Sequence, residues 1–181
     1  MRAAAKSRGL LGAATATVLT VAVLAGCSPG PQPTPTPPGA FASEEDAFAA
    51  AEKTYRAYID ALNQVDFTDS STFNPVLALL SSEAESSTRK TFTQFYAEKI
   101  TTTGKTEYDS FKGQEADLQS STVEASVCLD VGQVNVLDSN GVSLVSPERP
   151  TRQHLEVRFS SSGRTLKISS FAALEGTSCD S

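Results

Sequence analysis

One histidine, three cysteines and four tyrosines are what the chain offers for chemistry. A zinc-type site needs several His, Cys or carboxylate ligands that converge, and His154 has no His or Cys neighbour in the sequence. Its alternation parity puts it on one side of a strand with Glu156 and Arg158, so it reads as a surface or hydrogen-bonded histidine. Three fragments imitate catalytic motifs. Ser87-Thr88-Arg89-Lys90 has the S-x-x-K spacing of a lysine-assisted serine, but no S-D-N or K-T-G accompanies it. Gly104-Lys105-Thr106 ends like a phosphate loop, yet Lys99 stands where the first glycine must be. Asp138 to Gly141 has calcium-loop letters without the terminal glutamate. They are read instead as helix surface, helix C-cap and hairpin turn. No catalytic set, metal or cofactor is expected.

The chain of 181 residues has room for one domain plus appendages. Arg2, Lys6 and Arg8 precede an uncharged apolar run from Leu10 to Leu24, with small residues before Cys27, the pattern of a secretory signal. The run reaches only about 17 residues, the lower limit for a membrane helix; a retained helix is the alternative. Removing residues 1–26 leaves 12 basic against 21 acidic residues, a formal charge of −9. A field of that sign does not draw the chain to nucleic acid or to an anionic leaflet.

Leu24-Ala25-Gly26-Cys27 resembles the bacterial lipobox of secreted lipoproteins, of the high-GC Gram-positive type. The resemblance implies diacylglycerol transfer to the Cys27 thiol, then cleavage before it. Two or three acyl chains anchor stably where one does not. The expected address is therefore the cell membrane, extracytoplasmic side, with the membrane reached through the N-terminal lipid. A free or disulfide-bonded Cys27 is the alternative. Six of the nine prolines fall between Pro29 and Pro38. Such a segment builds neither helix nor ladder and extends as polyproline II, about 30–40 Å here. A spacer is favoured over an SH3-like ligand, and glycosylation of Thr34 and Thr36 is left open. With Cys27 assigned to lipid in an oxidising compartment, Cys128 and Cys179 are expected to pair. The alternative is two separate thiols. A bridge would close about 50 residues and stabilise by roughly 4 kcal/mol on the chain-entropy account. The expected divisions are 1–26 signal, 27–40 acylated cysteine plus linker, and 41–181 domain.

The domain begins with Ser43-Glu44-Glu45-Asp46, a capping box opening a helix over 43–64. Phe48, Ala51, Tyr55, Tyr58, Ile59 and Leu62 form its apolar face. Asn74 caps a short helix with Pro75 at its first position. A third helix over 83–102 has Phe92, Phe95, Tyr96 and Ile100 facing inward, with Gly104 as a left-handed cap. The period then falls to two. The segment 105–118 reads as a strand if a bulge reconciles the parities of Tyr108 and Phe111. Val123 to Val131 alternates cleanly and turns Cys128 away from the apolar face; Val134, Val136 and Leu137 extend it. Leu155, Val157 and Phe159, then Leu166, Ile168 and Phe171, complete about four strands.

Helices gathered before an antiparallel meander give an α+β domain with helices on one face of a curved sheet. This order resembles the nuclear-transport-factor-two-like cone, also called SnoaL-like or cystatin-like, over about residues 42–175. Enzymes of that fold hold an acid–base pair inside the cone, which would make Tyr55, Tyr58 and Tyr96 pocket-lining groups; plain core packing is their alternative. The expected function is a non-enzymatic binding or interaction module of the envelope, engaging a small apolar ligand or an envelope protein. An isomerase- or dehydratase-type enzyme is the second reading. Oligomeric state is left open.

Overall fold

The computed structural model describes residues 41–162, 165–174 and 179. The signal stretch, Cys27 and the proline segment lie outside the described residues. Helix α1, Glu44–Leu62, starts as the capping box requires: Ser43 is extended and its Oγ accepts the Asp46 N–H at 3.1 Å. Three acids in its first turn face the positive end of the dipole. Ala47, Ala51, Tyr55 and Ile59 recur every fourth residue and are buried. On the opposite face Arg56 and Glu52 pair at 2.8 Å, an exposed contact contributing about 0.3–0.5 kcal/mol.

Helix α2, Asn74–Ala78, departs from the expected start. A 3-10 turn, Ser70–Phe73, runs straight into it, so Asn74 is already helical and Pro75 is its second residue. The capping role moves to Asp69, whose Oδ1 accepts the Ser71 N–H. Helix α3, Ser82–Glu98, is shorter than the expected 83–102. Lys99 takes a left-handed conformation (φ +57°), and the Ile100 N–H returns to the Phe95 carbonyl at 2.9 Å. Three β-branched residues follow and suit a strand better than another helical turn. They form β1, Thr101–Thr103.

The main sheet comprises β2 (Glu107–Asp117), β3 (Thr122–Asp130), β5 (Arg152–Ser162) and β6 (Thr165–Ala173), all antiparallel in the order β2-β3-β5-β6. The expected continuation of β3 through Leu137 does not occur. Asp130 Oδ1 accepts the Gly132 N–H, the chain turns, and Asn135–Leu137 becomes β4, paired with β1 in a separate two-stranded sheet. The β4 hairpin closes as read: Asp138 Oδ1 accepts the N–H groups of Asn140 and Val142, which holds its carboxyl below the usual range, and Gly141 takes φ +80°.

Two register slips in β2, between Tyr108 and Ser110 and between Gly113 and Glu115, bend that strand. The first lets Tyr108 and Phe111 both reach Tyr55, at ring distances of 5.1 and 6.2 Å. A slip in β6 opposite Arg158 and Phe159 likewise brings Ile168 and Phe171 inward. Helix α1 lies against β2, β3 and β6, and α3 lies against β6. The β6 edge is closed by the link between α2 and α3: the Ser81 N–H bonds the Ile168 carbonyl at 2.8 Å, and the Ile168 N–H bonds the Leu79 carbonyl. Cys128 and Cys179 form the expected disulfide, with Cα atoms 5.6 Å apart, within the usual range.

Gly104 is not the helix cap foreseen for it. It takes φ +79° between β1 and β2, where a Cβ would overlap the Gln133 carbonyl. Gly141 has the same left-handed character, at φ +80°, but open space around it. Gly104→Ala is therefore expected to destabilise by about 2–4 kcal/mol and Gly141→Ala by about 1 kcal/mol, compared by urea unfolding. Equal losses would contradict the crowding assigned to Gly104.

Candidate functional site

The first gathering of polar aromatic groups lies between α1 and the sheet. Tyr55 is 1% exposed, with Tyr58 at 6.0 Å and Tyr108 edge-on at 5.1 Å. Tyr58 in turn meets Phe171 on β6 at 5.4 Å. Burial pushes the hydroxyl of Tyr58 up to about 12 and that of Tyr55 higher still, with the neighbouring tyrosines adding to the latter. The Arg56 guanidinium stands 5.7 Å above the Tyr108 ring, an exposed cation–π contact contributing about 0.5–1 kcal/mol. The buried Tyr108 hydroxyl has no hydrogen-bond partner among the described residues. Tyr96 does not join this group. It is 49% exposed on α3 and touches Phe73, which corrects its place on the inward stripe.

The second feature is a hollow of about 270 Å³ where the end of α1, the loop after it, α3 and β1 come together. Its apolar walls are Leu62, Val65, Phe67, Phe92, Phe95 and Val134. The phenylalanines brace one another edge-on: Phe67 lies 5.3 Å from Phe92 and 5.1 Å from Phe95. Thr102 and Thr103 on β1 are exposed and also line the hollow. The floor is fixed by Asn63, the C-cap of α1. Its side-chain amide donates to the Thr106 carbonyl and accepts the Thr106 N–H, both at 2.8 Å, imitating one rung of a strand ladder. This pins the helix end to the entry of β2, so the cavity has rigid sides.

Sequence reading found Phe92 and Phe95 as inward residues but assembled no site from them. Phe67 follows a loop with no periodicity, and β1 was hidden inside an overlong helix. The available signal was Thr101-Thr102-Thr103, a β-branched run that disfavours helix.

On the opposite side of the sheet, His154 is half-buried and lies directly across from Cys128 in the β3–β5 register. Arg158 bonds Glu156 at 2.9 Å and approaches Glu124 at 3.2 Å, and Arg152 pairs with Asp109. Among the described residues, no group of three or more His, Cys, Asp or Glu side chains is disposed to hold a metal, and no helix is long and apolar enough to cross a membrane.

The tyrosine cluster has a measurable signature. A phenol raised in the folded state keeps its proton where the unfolded chain has lost it, so stability is full below about pH 10 and falls as pH rises towards the folded value. Thermal unfolding is expected to shift down progressively between about pH 10 and 12. Tyr58→Phe should remove a late step from the tyrosinate absorbance titration and flatten that decline; an unchanged titration would show that Tyr58 does not carry it.

No protein-family model matches the chain, and no curated protein matches it. Distant likeness to solved structures is found. The Aln2 protein of a Streptomyces species is 15% identical, over 70% of this chain and 88% of its own, with a TM-score of 0.42. A protein assigned as an aromatic ring hydroxylase from Novosphingobium aromaticivorans is 13% identical over 72% and 94%, with a TM-score of 0.47. A de novo designed β-sheet protein is 17% identical over 76% and 94%, with a TM-score of 0.36. Likeness this distant carries no activity over to the present chain.

Proposed function

We propose that the chain is a lipid-anchored, extracytoplasmic binding module whose domain takes a small apolar ligand in the hollow between α1, α3 and β1. The observation that carries the binding site is the hollow itself: six apolar side chains, three of them mutually braced rings, around about 270 Å³, with two threonines at the rim. Ligand pockets are commonly about 300–1,000 Å³, so the occupant is small: a single ring or a short acyl chain with one polar end for the threonines. The buried polar residues of the described domain are Thr106, Ser121 and Ser126, none of which titrates near neutrality. That composition favours binding over general acid–base catalysis of the isomerase or dehydratase kind.

The anchor rests on sequence alone. Leu24-Ala25-Gly26-Cys27 follows a signal-like segment and precedes a proline-rich stretch, and together they support acylation of Cys27 at the outer face of the cell membrane.

The two parts are tested separately. Cys27→Ser is expected to abolish labelling by a fatty-acid probe; persistent labelling would remove the anchor from the proposal. For the hollow, the single-ring phenol p-cresol, followed by titration calorimetry, is the probe. Val65→Trp should weaken its binding by at least about tenfold by filling the cavity, with the unfolding midpoint little changed. Undiminished binding in that variant would place the ligand elsewhere.

A further inference from the structure

We infer that the apolar group held in the hollow between α1, α3 and β1 is a side chain of a partner protein, delivered by an extended segment that pairs with the free edge of β1. This rests on the reading of that hollow as a site for a small apolar group, and it names what carries the group. A volume of about 270 Å³ takes one phenylalanine ring or one branched aliphatic side chain. Thr102 lines the hollow, and β1 has no strand other than β4 beside it among the described residues.

The ladder fixes which main-chain groups are free. The Leu144 N–H bonds the Val136 carbonyl at 2.8 Å, and the Asp138 N–H bonds the Val142 carbonyl at 2.9 Å. Val136 and Asp138 therefore turn their main-chain groups toward the returning arm of the β4 hairpin, and Asn135 and Leu137 turn theirs toward β1. There Asn135 and Leu137 stand opposite Thr103 and Thr101. Thr102, opposite Val136, is left with its N–H and C=O directed away from β4, and neither has a hydrogen-bond partner among the described residues. An added strand engages such a donor and acceptor on an extended backbone, while a pocket beside them selects a side chain.

Charge selects the occupant. Lys99 and Lys105 stand three residues to either side of Thr102; both are exposed, and neither has a carboxylate partner among the described residues. Glu98 beside Lys99 is turned back to the Gln94 amide at 2.9 Å, and Glu107 lies on β2 opposite Asp130. A second copy pairing antiparallel through Thr102 would set each Lys99 against the other copy's Lys105, like charges directly opposed. Linker residues 28–40 carry no aromatic or branched aliphatic side chain for the hollow. A foreign segment with an apolar residue opposite Thr102 and a carboxylate three residues to each side answers the hollow, the edge and both lysines.

The probe is the peptide acetyl-Asp-Thr-Thr-Phe-Thr-Thr-Asp-amide, titrated into full-length protein in detergent and followed by calorimetry and amide hydrogen exchange. Pairing at the edge predicts slowed exchange of the Thr102 amide, with the Thr101 and Thr103 amides, already in the ladder, unchanged. An N-methyl group on the peptide's Phe nitrogen, whose N–H meets the Thr102 carbonyl, should weaken binding at least about tenfold; on the next Thr nitrogen, whose N–H faces water, it should cost less than about twofold. Lys99→Gln combined with Lys105→Gln should weaken binding about threefold, and both lysines are exposed, so the fold is not at stake. p-Cresol separates this inference from the reading beneath it. Binding of p-cresol without binding of the peptide overturns the inference and leaves the hollow a small-molecule site; absence of p-cresol binding overturns that reading itself. Equal effects of the two N-methyl groups would also overturn the inference, as would Thr102 protection that rises with protein concentration in the absence of peptide, the mark of a second copy.

Discussion

The structure depends on one packing contact: the stripe of α1 seated in the concave face of the four-stranded sheet. Ala47 and Ala51 are fully buried and small, so the helix axis can approach the strands closely; Tyr55 and Ile59 then fill the wider part of the curve. The facing residues are small or β-branched as well, with Ala125, Val127 and Val157 at 0% exposure. The same economy appears at Gly113, where any Cβ would overlap the Phe48 ring, so that phenylalanine lies directly on the β2 backbone. Side chains packed this closely leave little room to adjust, and truncating a buried Tyr55 would cost about 3–5 kcal/mol.

Close seating of a straight helix demands a bent sheet, and the bulges in β2 and β6 supply the bend. Each also re-aims side chains, gathering Tyr108, Phe111 and Phe171 around Tyr55 and Tyr58 from strands whose parity would otherwise split them. Where α1 ends, the curvature is no longer filled. There α3 and the small β1–β4 sheet diverge from the helix, Asn63 ties the corner to β2, and the phenylalanine-walled hollow remains. The hollow at this end is thus a consequence of the packing further along.

The two faces of the sheet differ in kind. Inside, phenols at the ends of aromatic rings supply much of the polarity, and two of them are held protonated by burial. Outside, paired charges, a histidine and the disulfide share a polar surface, and the bridge ties a C-terminal cysteine to the middle of the sheet. The two faces can therefore be altered by substitution independently, since the layer between them is a strand pair with its own ladder of hydrogen bonds.

Amphipathic period, cap chemistry and alternation are local properties, and what they govern was legible in the sequence. Ser43 with Asp46 fixed the start of α1, and the strict alternation from Val123 to Val131 fixed both β3 and the outward turn of Cys128. The parity conflict between Tyr108 and Phe111 foretold a bulge, and two surplus thiols foretold a bridge. Tertiary structure decided the rest, because it sets energies that no local window contains. Lys99 ends α3 in a left-handed turn because Thr101 to Thr103 gain a ladder with Asn135 to Leu137, more than thirty residues on. Tyr96 faces outward because the helix bearing it meets the core through Phe92. The hollow exists only where Phe67, Phe92, Val134 and Thr103 meet, four segments brought together by the bend of the sheet, so its position was set by long-range packing and not by any motif.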